Sequence, residues 1–335
     1  MKSFRHFNAH SIDEAVSLLD RYGGKAAVIA GGTDLLGKMK DRVLPEYPEA
    51  LVNIKTIPGL DAISDGEGML RIGALAALDQ VANHPVVQEK YPALAEAAGR
   101  VGSPQLRNMG TIAGNICQDI RCWYYRAPNN RFSCLRKGGG RCYALKGDNR
   151  FHSIFGGSVE GGCIAVHPSD TAPALIALGA KVVTSQRTIE MEEFINVRVL
   201  NTTVLESNQL VTEIRVPEPS AEAKSAFLKY ALRRSIDFAI VNCAASIARE
   251  NAKVTQARIC LNAVYVVPRR AVEAERALIG KTIDEKSAEE AGQAAVSDAS
   301  RLTNNAYMVQ IARILVKRTV LACRELEHGG SASAR

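Results

Sequence analysis

An α+β chain with more than one domain is what this sequence predicts, and three observations carry that expectation. Its 335 residues, 47% of them hydrophobic, exceed what a single core needs. Up to about residue 217, short apolar runs and amphipathic helical stretches alternate irregularly. Beyond Pro217-Glu218-Pro219 the texture changes to three strands followed by three helices, the mark of a compact α+β unit.

Ser11-Ile12-Asp13-Glu14 fits a capping box. Ala15, Val16, Leu18 and Leu19 then give an amphipathic helix ending at Gly23-Gly24. The apolar run Ala26–Ala30 is too short for a helix and reads as a buried strand. It leads into Gly31-Gly32-Thr33-Asp34-Leu35-Leu36, a turn where a phosphate could approach backbone N–H groups, although paired glycines also serve such turns for shape alone. Neither GxGxxG nor GK[ST] accompanies it, so neither standard nucleotide fold is supported. Leu51–Ile54 is a second strand, Pro58-Gly59 a turn, and a strand (69–73) and helices (78–83, 92–99) follow. Arg107–Asn115, RNMGTIAGN, is a string of small residues that either admits a ligand close to the backbone or bends a strand tightly. Ser169-Asp170 is expected to cap a helix over 171–178, ahead of strands at 181–184 and 208–216. The second unit should hold strands near 226–232, 241–249 and 254–264, then helices near 268–279, 285–297 and 306–326, with a disordered tail at 327–335.

The formal charge of +7 does not point to nucleic acid. Between Ile116 and Glu160 eight Lys and Arg face three acids, so +5 of the excess sits in one segment, and no nucleic-acid motif accompanies it. That charge either offsets a negative metal–thiolate centre or forms a solvated basic face. No apolar run is long enough to insert in a membrane, and the N-terminus lacks the layout of a signal peptide. Five of the eight cysteines lie between Arg107 and Leu175, and clustered thiols without a signal look like metal ligands rather than a disulfide scaffold. Cys122, Cys134, Cys142 and Cys163 are the candidates, separated by 11, 7 and 20 residues, with Cys117 just outside. The CxxC knuckles of structural zinc and the CxxCxxC run of ferredoxins are both missing, so spacing leaves an iron–sulfur cluster and zinc open. Cys243, Cys260 and Cys323 sit in apolar periodic segments and read as core, and His152 and His167 as structural.

Taken in order, AGGTDLL (30–36), RNMGTIAGN (107–115), SDTAPAL (169–175) and FLKYALRRSIDFAIVN (227–242) resemble the flavin subunits of molybdenum hydroxylases, the xanthine dehydrogenase superfamily. The likeness covers nearly the whole chain. It implies an FAD-binding domain of the vanillyl-alcohol-oxidase/PCMH type over 1–219, made of two α/β subdomains (about 1–57 and 58–219) with a cysteine-rich insert at 116–165. It also implies a C-terminal domain over 224–326, a three-stranded sheet with helices of the CO dehydrogenase flavoprotein type. By matching position, Ala30, Gly31, Gly32, Thr33, Asp34 and Leu35 would cradle the FAD pyrophosphate, and Thr111, Gly114 and Asn115 would make further phosphate and ribityl contacts. Asp170 would hydrogen-bond the cofactor, Leu210 or Val211 would pack near the isoalloxazine, and Lys229 would lie near the ring's polar edge, where a cation helps stabilise the reduced anionic flavin. Val101, Arg107, Asn108 and Gly110 complete the expected cofactor set.

Most such subunits pass almost directly from the motif ending at Asn115 to the one holding Asp170; here 54 residues intervene. Two subgroups of the family carry an insert for an extra [4Fe-4S] cluster, and RCWYYR (121–126) fits both. The 4-hydroxybenzoyl-CoA reductase type places its fourth cysteine about nine residues after the third, where this chain has Phe151. The periplasmic aldehyde oxidoreductase type places it just before a VHPSD string, as Cys163 stands here, and NRFH (149–152) also fits that form. The resemblance thus implies Cys122, Cys134, Cys142 and Cys163 as cluster ligands, with Cys117 spare. It implies an oxidoreductase subunit in a heterotrimer with a molybdopterin-binding large subunit, which holds the substrate site for an aldehyde, N-heterocycle or other aromatic compound, and a [2Fe-2S] small subunit. Electrons would reach FAD here and leave to ferredoxin or another external acceptor, and no catalytic residue is expected in this chain. A cytoplasmic location is expected, with periplasmic co-export on a signal-bearing small subunit as the alternative. A reductive enzyme, or a stand-alone flavin oxidase with a structural zinc site, are the competing functions.

Overall fold

The computed structural model describes residues 1–157 and 162–324; the expected tail at 327–335 and residues 158–161 of the insert lie outside that range. Three sheets organise the chain. The first is parallel, with Ala50–Asn53 between Arg5–Asn8 and Ala26–Ile29. The helix Ile12–Arg21 lays Ala15, Leu18 and Leu19 on it, against Val52 and Ile54. Its Ser11 cap forms as expected, Oγ accepting from the Glu14 N–H at 3.1 Å, while the Glu14 carboxylate reaches back to the N–H of His10, one residue further than a capping box would.

The second sheet is antiparallel, in the order Ile63–Gly66, Met69–Gly73, Val211–Pro217, Lys181–Thr184, Thr188–Glu190. Leu70, Ile72, Val182, Ile214 and Val216 alternate along the three central strands and are fully buried, as one covered face requires. Helices Leu78–Asn83 and Pro92–Gly99 appear where periodicity places them, and Pro85–Lys90 adds a third. Proline at the first helical position starts the latter two, where its missing N–H costs nothing. The RNMGTIAGN string is not a bent strand. It ends one helix, Pro104–Met109, turns at Gly110 and opens another, Ile112–Ile116, whose Thr111 cap accepts from the Gly114 N–H at 3.1 Å.

The third sheet runs Arg269–Arg270, Lys253–Asn262, Val241–Glu250, Ala223–Tyr230, all antiparallel. A two-residue strand therefore joins the three expected, in the place where a helix from 268 is predicted. Arg269 and Arg270 pair with Leu261 and Cys260 instead, and the helix starts only at Val272. Helices Val272–Leu278, Glu285–Ala294 and Ala306–Ala322 cover one face, packing Ala288, Ala291, Met308, Ala312 and Val316 on Val241, Cys243 and Ile247. The other face meets the helices Pro92–Gly99 and Thr171–Ala177 through Ala93, Ala97, Ala174 and Ala177 against Phe227 and Ala244. Cys243, Cys260 and Cys323 are fully buried, in keeping with a packing role. No helix among the described residues is long and apolar enough to cross a membrane.

Candidate functional site

Two loops from distant parts of the sequence form one wall of a groove. A Cβ on Gly31 would stand 1.9 Å from the Met109 carbonyl oxygen, so only glycine permits the two loops to touch. The next residue, Gly32, has φ of +69° and turns the chain from its strand into the helix Leu35–Lys40. The groove divides into two cavities of about 250 Å³ each. Both are bordered by Thr33, Asp34, Gly110, Thr111, Gly114 and Gln118, so they are two arms of one space. Ala30–Leu35, Leu210 and Val211 line the first arm; Val101, Asn115, Asp170 and Lys229 line the second.

The second arm ends on a buried ion pair. Lys229 Nζ lies 2.6 Å from Asp170 Oδ2 and also donates to the Arg100 carbonyl at 3.0 Å. Of the expected Ser169-Asp170 cap, Ser169 fills the role and Asp170 does not. The Ser169 hydroxyl accepts from the Ala172 N–H at 3.0 Å, leaving the Asp170 carboxylate for Lys229 and for the Asn242 amide at 2.7 Å. Burial raises the pKa of Asp170, and Lys229 and Asn242 hold it back. Asn115 joins the two ends of the insert: its Oδ1 accepts from Ser169 Oγ at 2.6 Å and from Thr171 Oγ1 at 2.7 Å.

Beside the groove lies a second, smaller space of about 10 Å³. Cys122, Cys134, Cys142 and Cys163 all line it, with Ile120, Tyr124, Tyr125, Tyr143 and Ala144 as apolar wall. Backbone N–H groups address the sulfurs: Tyr124 and Tyr125 on Cys122, Arg136 and Lys137 on Cys134, Ala165 on Cys163. His152 Nε2 stands 3.2 Å from the Cys122 sulfur. Burial pushes the Cys122 thiol up to about 12 and that of Cys163 to about 11, so a bound cation is needed to hold them as thiolates at neutral pH. Arg136 lines the same space with its side chain fully buried and its Nε and Nη1 without a partner. Among the described residues, no three His, Cys, Asp or Glu side chains are placed to hold a single metal ion.

Between the two spaces runs a buried charge network. Asp34 accepts from Arg126 Nη1 at 2.8 Å and from the Asp119 N–H at 3.0 Å. Asp119 in turn accepts from Lys38 at 3.1 Å, Arg136 at 3.1 Å, Thr202 at 2.9 Å and the Tyr125 hydroxyl. Burial opposes ionisation of both carboxylates, but the neighbouring cations, Arg126 and Lys38 at Asp34 and Lys38, Arg136 and Arg126 at Asp119, outweigh it and lower both pKa values.

Fifteen of the seventeen residues expected around the cofactor line the groove. Arg107 and Asn108 do not. Arg107 turns to the Val101 carbonyl at 3.1 Å, and Asn108 is exposed on the helix Pro104–Met109. Cys117 faces the first arm of the groove and not the other cysteines. Sequence reasoning passed over Lys38, Gln118, Arg121 and Phe238, which also line the groove; the Arg121 guanidinium stacks 3.8 Å from the Phe238 ring. Nothing in their spacing singles out the first three. Phe238 stands inside the 227–242 motif, so its presence at the site was open to notice.

Residues 2–219 match the model of the FAD binding domain in molybdopterin dehydrogenase, and residues 226–323 that of the CO dehydrogenase flavoprotein C-terminal domain. The aldehyde oxidoreductase FAD-binding subunit of Escherichia coli (strain K12) is 36% identical over 256 residues, spanning 74% of this chain and 78% of its own. The carbon monoxide dehydrogenase medium chain of Hydrogenophaga pseudoflava is 29% identical over 328 residues, 95% of this chain and 96% of that one. A solved carbon monoxide dehydrogenase from the same organism, lacking the Mo-pyranopterin moiety of its cofactor, has a TM-score of 0.75 at 28% identity and covers 96% of this chain and 97% of its own. The chain therefore belongs to the family of FAD-binding medium subunits of the molybdenum hydroxylases.

Proposed function

We propose that this chain is the FAD- and [4Fe-4S]-containing electron-transfer subunit of a heterotrimeric molybdopterin-dependent hydroxylase or dehydrogenase. A molybdopterin-binding large subunit holds the substrate site, and a [2Fe-2S] small subunit passes electrons to FAD. From here they leave to an external acceptor such as ferredoxin. The observation that carries the cluster half is the meeting of Cys122, Cys134, Cys142 and Cys163 around one apolar space, across gaps that no zinc knuckle uses.

The donor set fits an iron–sulfur cluster. Thiolate sulfurs receiving several backbone N–H bonds beside a buried arginine suit a negatively charged centre. Structural zinc usually draws its sulfurs from CxxC knuckles, which this segment lacks. A cluster binds each sulfur to its own iron and tolerates a wider set. Cys163 standing just before His167-Pro168-Ser169-Asp170 favours the aldehyde oxidoreductase subgroup over the reductive one.

When bound, FAD supplies a carrier that accepts electrons singly and releases them singly or in pairs. This chain's residues position it. The Gly31-Gly32 and Thr111–Asn115 segments would offer backbone N–H groups to its phosphates, Leu210 and Val211 would give the ring an apolar seat, and Lys229, paired with Asp170 in the other arm, would supply a cation to the cofactor's polar part. The test is composition of the purified native complex. Flavin, iron and acid-labile sulfide, the last two in equal amounts, are expected together with two partner subunits. Zinc without iron would remove the cluster. A lone chain that turns over its own substrate would replace the subunit reading with that of a stand-alone oxidase.

A further inference from the structure

Asp119 is 4% exposed, belongs to neither motif, and yet touches both sites. Two of its partners, Arg136 and Tyr125, line the cysteine space, and the backbone N–H of each also donates to a cysteine sulfur, Arg136 to Cys134 and Tyr125 to Cys122. Two more, Lys38 through the side chain and Asp34 through the Asp119 N–H, line the long groove. Arg126 closes the ring by donating to Asp34 at 2.8 Å and to the Asp119 carbonyl at 2.7 Å. Lys38, Arg126 and Arg136 are thus gathered around two carboxylates, in surroundings where charge is weakly screened.

Such a cluster has few alternative arrangements. A shift of Arg136 leaves Asp119 with a different balance of partners, and Lys38 and Asp34 must answer it. Arg136 lines the cysteine space with Nε and Nη1 unpartnered, so a negative group seated there draws on the same cation that Asp119 holds. Arg136 is two residues from Cys134 on the short turn Leu135–Lys137.

We propose that Asp119 is a positioning residue that couples the two sites, so that filling the cysteine space raises the affinity of the groove for FAD. Binding linkage then requires the converse: FAD strengthens retention of the cluster by the same factor. This rests on the reading that Cys122, Cys134, Cys142 and Cys163 hold a cluster, and adds that the cluster acts on the flavin through a carboxylate as well as by electron exchange.

The experiment uses the full-length chain, stripped of flavin, with and without its iron. FAD affinity is read from quenching of flavin fluorescence, independently of turnover. In the wild type, removal of iron is expected to weaken FAD binding about tenfold, within the usual span of coupling between sites. In Asp119→Asn the iron-loaded and iron-free forms should differ less than twofold. Thr202→Val, which takes one neutral donor from Asp119 and leaves every charge in place, gives an intermediate ratio and serves if Asp119→Asn does not fold. A ratio equally large in the wild type and in both variants overturns the coupling through Asp119 and leaves the cluster standing. A wild type that binds FAD equally well with and without iron overturns it too. A wild type that binds FAD but never holds iron removes the cluster itself, and the coupling with it.

Discussion

The long groove and the cysteine space lie side by side, yet they are written into the chain in different ways. Much of the groove is lined by two short runs, Ala30–Leu35 and Gly110–Asn115 without Ile112. The cysteine space is made by four side chains spread over 42 positions from Cys122 to Cys163, with no regular interval. A diphosphate is recognised by a row of N–H groups, which needs a short stretch of chain with particular turns and glycines. Thiol groups that meet around one space need only be brought together in three dimensions, so their intervals along the chain carry less of the signal than a contiguous loop does.

The comparison breaks most sharply at the cysteines. Cys134→Ser is expected to reduce iron to near the level of protein without cluster while flavin remains bound, although more weakly. Metal and flavin analysis of one sample checks both. If the variant loses iron yet keeps turnover with every natural acceptor, the cluster has no part in electron flow. Next in size is Lys229→Met, which leaves Asp170 buried without its cation. A buried pair broken on one side costs about 3–5 kcal/mol, so the urea midpoint should fall steeply, and Asp170→Asn added to it should restore part of the loss. A double variant no better than the single would show that the pair is not the source.

Gly31→Ala probes the groove through backbone alone. The Cβ would meet the Met109 carbonyl oxygen at 1.9 Å, and neither backbone can yield without separating the two loops. Overpacking of this kind costs about 1–3 kcal/mol, and FAD affinity should fall with it while iron content holds. Iron lost to the same degree would mean that the sites are not separable at this point. The smallest effect is expected in acid. Asp34 and Asp119 both have lowered pKa values in the fold, so their contribution to stability is complete above the unfolded value of about 3.9 and is lost as pH falls below it. Unfolding midpoints measured from neutral pH downward should be flatter over that acid range in Asp34→Asn than in the wild type.

Much of the fold was legible because its signals are local. The Ser11 cap, the strands at 26 and 69, and the helices at 78 and 92 rest on periodicity and capping within a few residues, and they appear within a residue or two of their expected places. The small strand at Arg269–Arg270 was not legible, because two residues have no periodicity and depend on the neighbouring strand for their pairing. Asp170 misled for a related reason. Beside Ser169 at a helix start it has the look of a cap, but that reading knows nothing of Lys229 and Asn242, which lie 59 and 72 residues away and claim its carboxylate.

By itself the sequence determined that this is an α+β chain, that Cys243, Cys260 and Cys323 are core, and that the charge excess gathers in one segment. Each follows from short-range order or from plain counting. The tertiary structure decided that the four cysteines grouped by the resemblance, which spacing left open, line one space, that Cys117 faces the long groove instead, and that part of the charge excess is spent inside the protein, where Arg126 and Arg136 hold Asp34 and Asp119. The reason is that charges and thiols act through space. Lys38 and Asp119 are 81 residues apart, Asp34 and Arg126 are 92 apart, and no window along the chain contains either pair.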